Sequence, residues 1–557
     1  MKRYKVMLMT LAAAFSLGLS SCVNDLDVEP IDPSITLPED VLDSEYAYLQ
    51  VLAKCYQGLS CSASKGPDSD PDISGVDGGY GQYVRALFQL QEYTTDEAAV
   101  AWNDGNIYDL HNLCWNPSNE FVMAMYARIY FQIGLCNELI RKVDQNPAGL
   151  SDDDFPISSR EQIKAEARAL RALSYYHAID MFGNVPLSLE DGKIGSEGPA
   201  QVSRAALFAW LEAELKDLAD GTALPEVGRN EYGRCDKGLA RMLLAKLYLN
   251  AEVYAGEAKW TECAAVCSDL MGDYQLHTKS PLDLRDQGGE DESFFKNPYQ
   301  ELFCADNHRF TKTSTYLGDE IIFAVQQDGI LVRSYGCTNF LVFAPAGGSM
   351  DCEQLGISSG WGGVSCPAQL STLFADEDAR KLFYTEYGID MKQLMSSDGS
   401  AFDRPDSGWK SMKFKNINID GSAGQHTGFV DTDFPMFRLA DVYLMYAECK
   451  CRAAGGGSYS NTDGLQQLND VRTRAGLSPL ASYDLDDILD ERARELYFEC
   501  HRRSDLIRFG KFTSGSYLWD WKGGVYEGRG VEDKFNLFPI PTDDTNSNDK
   551  LTQNPGY

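Results

Sequence analysis

Positive charge is what this 557-residue sequence is shortest of: 50 Lys and Arg stand against 83 Asp and Glu, a formal net charge of −33. A surface of that sign repels phosphate backbones and anionic lipid heads, which argues against a nucleic-acid partner and favours neutral ligands. Motifs for metal and phosphate chemistry are missing too. There is no His-Glu-x-x-His and no phosphate loop. The fifteen cysteines form no paired metal spacing, for Cys263 and Cys267 sit one helical turn apart and Cys449 and Cys451 share a helix, neither pair with histidines beside it. A chain this long does not depend on a disulfide scaffold, so most of these thiols are expected to be buried. No long linker divides the chain.

Long apolar runs are also scarce, and the one at the start is too short to span a bilayer. Met1 to Cys22 has a basic start, an apolar stretch and small residues before a cysteine, the pattern of an export signal. Leu19-Ser20-Ser21-Cys22 resembles a bacterial lipobox, which makes residues 1–21 a signal peptide and Cys22 an acylated membrane anchor. Loss of Lys2, Arg3 and Lys5 with the leader lowers the net charge by three, to about −36. Residues 22–40, acidic from Val23 to Pro30, are then a lipidated tether.

Helical patterning begins at about Glu39–Leu59, resumes at Glu120–Val143 and Glu161–Phe182, and continues at Ser203–Leu218, Lys237–Tyr254 and Lys259–Met271. Ser159 and Gln162 stand in capping-box register, and Gly183 and Pro186 supply the stop. The spacing is close to that of tetratricopeptide repeats, about 34 residues per helix pair. We expect a mainly α, right-handed helical scaffold over about 119–273 and 436–511, within one domain covering 41–557. Between the two parts, about 275–433, the chain turns to Gly, Ser, Asp and aromatics, with strand-like pieces at Glu320–Val325 and Asn339–Phe343. A long irregular insertion is more often functional than structural, so this one is expected to face a ligand.

Several chemistries fail on context. Gly356-Ile-Ser-Ser-Gly360 matches a nucleophile elbow, but it lies in a glycine-rich run with no strand before it and no helix after it. Asp68, Asp70 and Asp72 alternate as in a calcium loop, yet the sixth position is Ile73 and the twelfth Gly79, so the turn and the bidentate ligand are both missing. Paired carboxylates for glycosidase work are uninformative in so acidic a chain. What remains is aromatic residues in loops. Flat rings stack on the C–H faces of sugars, and neighbouring Asp, Asn or Arg bond the hydroxyls. Trp102-Asn103-Asp104-Gly105 offers that combination; Tyr80 and Tyr83 beside Asp70, Asp72 and Asp77 offer another, and Trp361 between glycines a third. Trp115, leading into a helix, is expected in the core.

The last quarter carries the most specific pattern. It runs Phe434-Pro-Met-Phe-Arg-Leu-Ala-Asp-Val-Tyr-Leu-Met-Tyr-Ala-Glu448, then Leu468-Asn-Asp-Val-Arg-Thr-Arg-Ala-Gly-Leu477, Glu491-Arg-Ala-Arg-Glu-Leu-Tyr-Phe-Glu499, Phe538-Pro-Ile-Pro541 and Gln553-Asn-Pro-Gly-Tyr557. Leu465, Leu468, Val471 and Ala475 recur at helical spacing before Gly476 and Pro479. Glu491, Arg492, Glu495, Arg502, Arg503, Asp505 and Arg508 lie among apolar residues, so an ion-paired seam between packed helices is expected. This series, with Glu166 to Leu187, resembles the RagB/SusD family of glycan-binding surface lipoproteins of Bacteroidetes. Cys500-His501 departs from it, standing where the family usually has a glycine.

The resemblance implies a SusD-like fold and a glycan site built from the loop before the first helix pair and from the insertion. Trp102, Asn103, Asp104, Tyr80, Tyr83 and Trp361 fall in those regions. It further implies capture of oligosaccharides at the outer membrane for a SusC-like TonB-dependent transporter, with no catalysis and no cofactor or metal. A surface glycoside hydrolase and a peptide-binding helical module are the alternatives.

Overall fold

A computed structural model describes residues 41–192, 198–278, 293–310, 320–388 and 408–557. The expected signal peptide, Cys22 and the tether lie outside them.

In chain order the principal helices are α1 (Glu45–Ser60), α2 (Tyr83–Gln91), α3 (Glu120–Gln145), α4 (Arg160–Met181), α5 (Arg204–Asp220), α6 (Lys237–Leu249) and α7 (Trp260–Asp273). They continue with α8 (Cys337–Phe343), α9 (Leu439–Ala453), α10 (Thr462–Arg474), α11 (Leu485–Leu496) and α12 (Arg502–Arg508). Side chains just ahead of the helices set several starts. Asn119 accepts from the Phe121 and Val122 N–H groups at 3.1 Å each, and Asp484 forms a reciprocal capping box with Asp487. At α4 the expected box is half made: Ser159 accepts from the Gln162 N–H at 3.1 Å, while the Gln162 amide donates to Glu166 instead.

From α3 to α7 each helix packs on the next, and α9 then packs on α7. The result is the tetratricopeptide-like scaffold, with the insertion leaving and rejoining between two neighbouring helices. Strand β2 (Ile321–Val325) pairs antiparallel with β4 (Phe434–Arg438), Ile321 opposite Arg438 and Val325 opposite Phe434, and closes the insertion at its base. Of the two strand-like pieces read in the insertion, Glu320–Val325 is borne out as a strand and the other is not. Asn339–Phe343 falls in helix α8, not a strand, since a short apolar run buried on all sides has no period to tell the two apart.

One apolar cluster runs from Leu42 to Ile540 and includes Trp115, and a second joins α9, α10 and α11 through Leu444, Leu468, Val471 and Ile488. The cysteines of the described residues are free thiols, buried except for Cys114 and Cys352. No helix among the described residues is long and apolar enough to cross a membrane.

The expected ion-paired seam is present and entirely buried. Arg438 reaches Glu320 at 2.9 Å, Glu495 at 2.5 Å and Glu499 at 2.6 Å, and Arg474 binds Glu320 at 2.8 Å. From the insertion, Arg380 meets Glu491 at 2.7 Å and Lys413 meets Glu499 at 2.6 Å. A second group links Arg492 to Asp441 and Asp505, and Arg508 to Glu448, each at 2.7 Å. Charges at this depth are tolerable only when paired on several sides, so the network fixes the insertion to the helices.

Between α11 and α12 the chain does not continue as packed helix. Phe498 and Cys500 take φ of 65° and 67°, a left-handed turn whose N–H groups at Phe498 and His501 donate to the buried Glu97 and Glu92 carboxyls at 3.0 Å each. At Cys500 the departure from the family's glycine bears on the backbone: a glycine there fits positive φ, whereas a Cβ strains it.

Several buried titratable groups make stability depend on pH. Burial raises the Asp433 carboxyl to about 7, against which the Tyr232 hydroxyl and the Gln327 N–H work only in part. An acid raised on folding loses stability as pH climbs from its unfolded value of about 4 to its folded one. Burial pushes Glu92 the same way, with the Glu97 carboxyl adding to the rise, and at Glu97 burial outweighs the lowering by Arg502. Burial also acts upward on Glu491, but Arg380 and Arg494 outweigh it and hold the group at about 2, so its contribution fades only below about pH 4.5. His111, His177 and His501, whose pKa burial lowers, act in the opposite direction over this range. The Asp433 contribution is therefore read as a difference between proteins: going from pH 5 to pH 8, wild type should lose about 2 kcal/mol more unfolding free energy than Asp433→Asn, measured by urea denaturation.

Candidate functional site

Two short strands bring distant loops together. Strand β1 (Ala99–Val100) pairs antiparallel with β3 (Val364–Ser365), and the Ala101 N–H donates to the Gly363 carbonyl at 2.7 Å. Trp102 follows one strand and Trp361 precedes the other, so this ribbon places both indoles at one edge. The Trp361 loop is fastened to the end of α8, its N–H donating to the Phe343 carbonyl at 2.8 Å and the Gly362 N–H to that of Ala346 at 2.6 Å.

The indoles open on a cleft of about 640 Å³, lined also by Pro67–Pro71, Asp77–Gly79, Arg85, Asp104 and Tyr335. Tyr335 lies 6.2 Å from Trp361, centroid to centroid, and Trp361 is 36% exposed. Arg85 braces the rings. Its guanidinium carbon is 4.6 Å from the Phe340 centroid, 5.8 Å from Trp102 and 6.0 Å from Trp361, while Nη1 donates to the Tyr335 carbonyl at 3.0 Å. Burial pulls its pKa below the ordinary value, and Tyr93, Asp77 and Asp104 act in the opposite direction. Asp68 Oδ1 accepts the Tyr335 hydroxyl at 2.8 Å, and Asp77 Oδ1 accepts the Gly79 and Tyr80 N–H groups at 2.7 and 3.0 Å.

Of the residues expected from sequence, the structure brings Trp102, Asp104 and Trp361 into one cleft. Asn103 is exposed beside it. Tyr80 is half-buried, with its ring on Phe121 and its hydroxyl on Glu120. Tyr83 is corrected. It is fully buried on α2 and its hydroxyl meets His177 Nδ1 at 2.9 Å, so its ring packs the core and offers no face to a ligand. Asp72 is held by Lys54 at 2.6 Å and steadies the loop rather than lining the cleft. Sequence reading missed Arg85 and Tyr335, which lie 250 positions apart and meet only through the fold. Tyr335, flanked by Ser334 and Gly336 in the insertion, had the same loop-aromatic signal as Trp361.

Gly363 gives Trp102 its seat. With φ of 116°, it carries no side chain where a Cβ would lie 2.3 Å from the indole Nε1. Gly363→Ala is expected to displace the ring and to weaken by about 10-fold any ligand that stacks on it, read by calorimetric titration.

The tetratricopeptide-like scaffold that carries this aromatic, carboxylate-edged cleft is similar in fold to proteins of the SusD type. Residues 369–557 match the family model described as SusD family, and residues 74–249 match one described as starch-binding associating with outer membrane. Starch-binding protein SusD of Bacteroides thetaiotaomicron is 30% identical, with 98% of each chain covered. The chain belongs to the SusD family. Among solved structures, a SusD superfamily protein from Parabacteroides distasonis superposes with a TM-score of 0.66 at 20% identity, covering 92% of this chain and 99% of that one. A laminarin-binding SusD-like protein gives 0.64 at 22%, with the same coverage. These two likenesses bear on the fold.

Proposed function

We propose that the protein captures starch-type oligosaccharides in the Trp102–Trp361 cleft at the outer face of the outer membrane and passes them to a SusC-like TonB-dependent transporter. The observation that carries the reading is the convergence of two indoles and Tyr335 with Arg85 and four carboxylates in one open cleft. Sugar rings need that combination of flat apolar faces and hydroxyl acceptors. The starch-binding relative, similar over nearly the whole chain, supports the choice of glucan. The description of the matching family model, associating with outer membrane, supports the location. The cleft is a binding device and the protein performs no catalysis. Titration of the purified protein against a glycan panel, reading both affinity and released product, tests this. Maltoheptaose bound without hydrolysis supports the reading; hydrolysis, or binding of peptides but no glycan, overturns it.

Cys22 anchors the protein through lipid, on the lipobox argument. Cys22→Ala is expected to leave an unacylated protein in the soluble fraction. If that variant partitions with membranes at the wild-type level, the anchor lies elsewhere.

A further inference from the structure

The ligand can be narrowed further, on the footing of the glycan reading above. We propose that the carboxylates lining the cleft are a charge filter, admitting neutral oligosaccharides and rejecting those that carry carboxylate, sulfate or phosphate groups. Asp68, Asp70, Asp77 and Asp104 line the cleft, and Arg85 is the cation among its lining residues, a formal balance of −3.

Two of these carboxylates are fixed where they stand. Asp68 accepts the Tyr335 hydroxyl and Asp77 accepts two backbone N–H groups, so neither can swing away from an incoming anion without giving up those bonds. Asp70 and Asp104 are likewise exposed to an incoming ligand.

Arg85 is poorly placed to act as an anion receptor. Its Nη1 is committed to the Tyr335 carbonyl, its Nε is buried, and its guanidinium sits among the Phe340, Trp102 and Trp361 rings. A cleft of this volume is about 10 Å across, so any group inside lies within about one Debye length of every lining carboxylate at 0.1 M salt. An anionic ring stacked on an indole therefore meets uncompensated repulsion. For a neutral ring the same carboxylates accept hydroxyl hydrogens in charge-assisted bonds.

Three probes separate charge from shape: maltoheptaose, its counterpart oxidised to carboxylate at the 6-positions, and the methyl ester of that acid. Calorimetric titration of the full-length protein should find the acid at least about 10-fold weaker than the ester at low salt, with the gap narrowing as salt rises. In an Asp70→Asn, Asp104→Asn double variant the ester-to-acid affinity ratio should shrink towards one. Equal affinities for acid and ester in the wild type would overturn the filter, as would a gap insensitive both to salt and to the double substitution. Failure of all three probes, maltoheptaose included, would remove the glycan reading itself and the filter with it.

Discussion

Arg438→Ala is expected to lower the unfolding free energy by at least about 3–5 kcal/mol, the usual cost of breaking a buried ion pair from one side. The residue closes β4 and opens α9, and it is 1% exposed. Its guanidinium serves three carboxylates, from Glu320, Glu495 and Glu499, and also donates to the Glu495 carbonyl at 2.7 Å. Truncation would leave those acids with Arg474, Arg380 and Lys413 as their remaining cations, in a place water does not reach. Burial alone drives Glu495 upward, and Arg474, Arg438 and Arg380 together hold it well below the usual carboxylate range. Arg438→Lys keeps the charge but loses the fork, so it should fall between wild type and alanine. Urea denaturation of the three proteins checks the order. A loss below about 1 kcal/mol for alanine would mean that the seam contributes little to holding insertion and helices together.

The second large effect concerns binding. Trp102→Ala alone should weaken maltoheptaose about 30-fold, the equivalent of roughly 2 kcal/mol for an aromatic anchor, and the pair Trp102→Ala, Trp361→Ala should weaken it at least about 100-fold. Both rings stand at the edge of the β1–β3 ribbon and Trp361 is partly solvent-exposed, so the unfolding midpoint should change far less than in the Arg438 variant. Wild-type affinity in the double variant would show that these indoles are packing residues.

The scaffold was legible because its helices are long and periodic. The pattern read at Glu120–Val143 is helix Glu120–Gln145, and the stop read at Gly476 is a left-handed cap with φ of 84° whose neighbour Leu477 donates to the Arg472 carbonyl at 2.9 Å. Short elements were harder, as Asn339–Phe343 shows. In the cleft, Trp102 and Trp361 stood out as aromatics among Gly, Asn and Asp, residues that favour loops over core. Arg85 lies on helix α2 and gave no such signal, since its role comes from rings that reach it from three other segments. Tyr83 misled for the reverse reason. Adjacent to an acidic loop in sequence, it opens a helix and faces the core there, fully buried.

The most direct test of the glycan site is a crystal structure of the protein soaked with maltoheptaose. Glucose rings are expected stacked on Trp102 and Trp361, with hydroxyls bonded to Asp77, Asp104 or Arg85. Sugar seated elsewhere on the molecule, with this cleft empty, would contradict it.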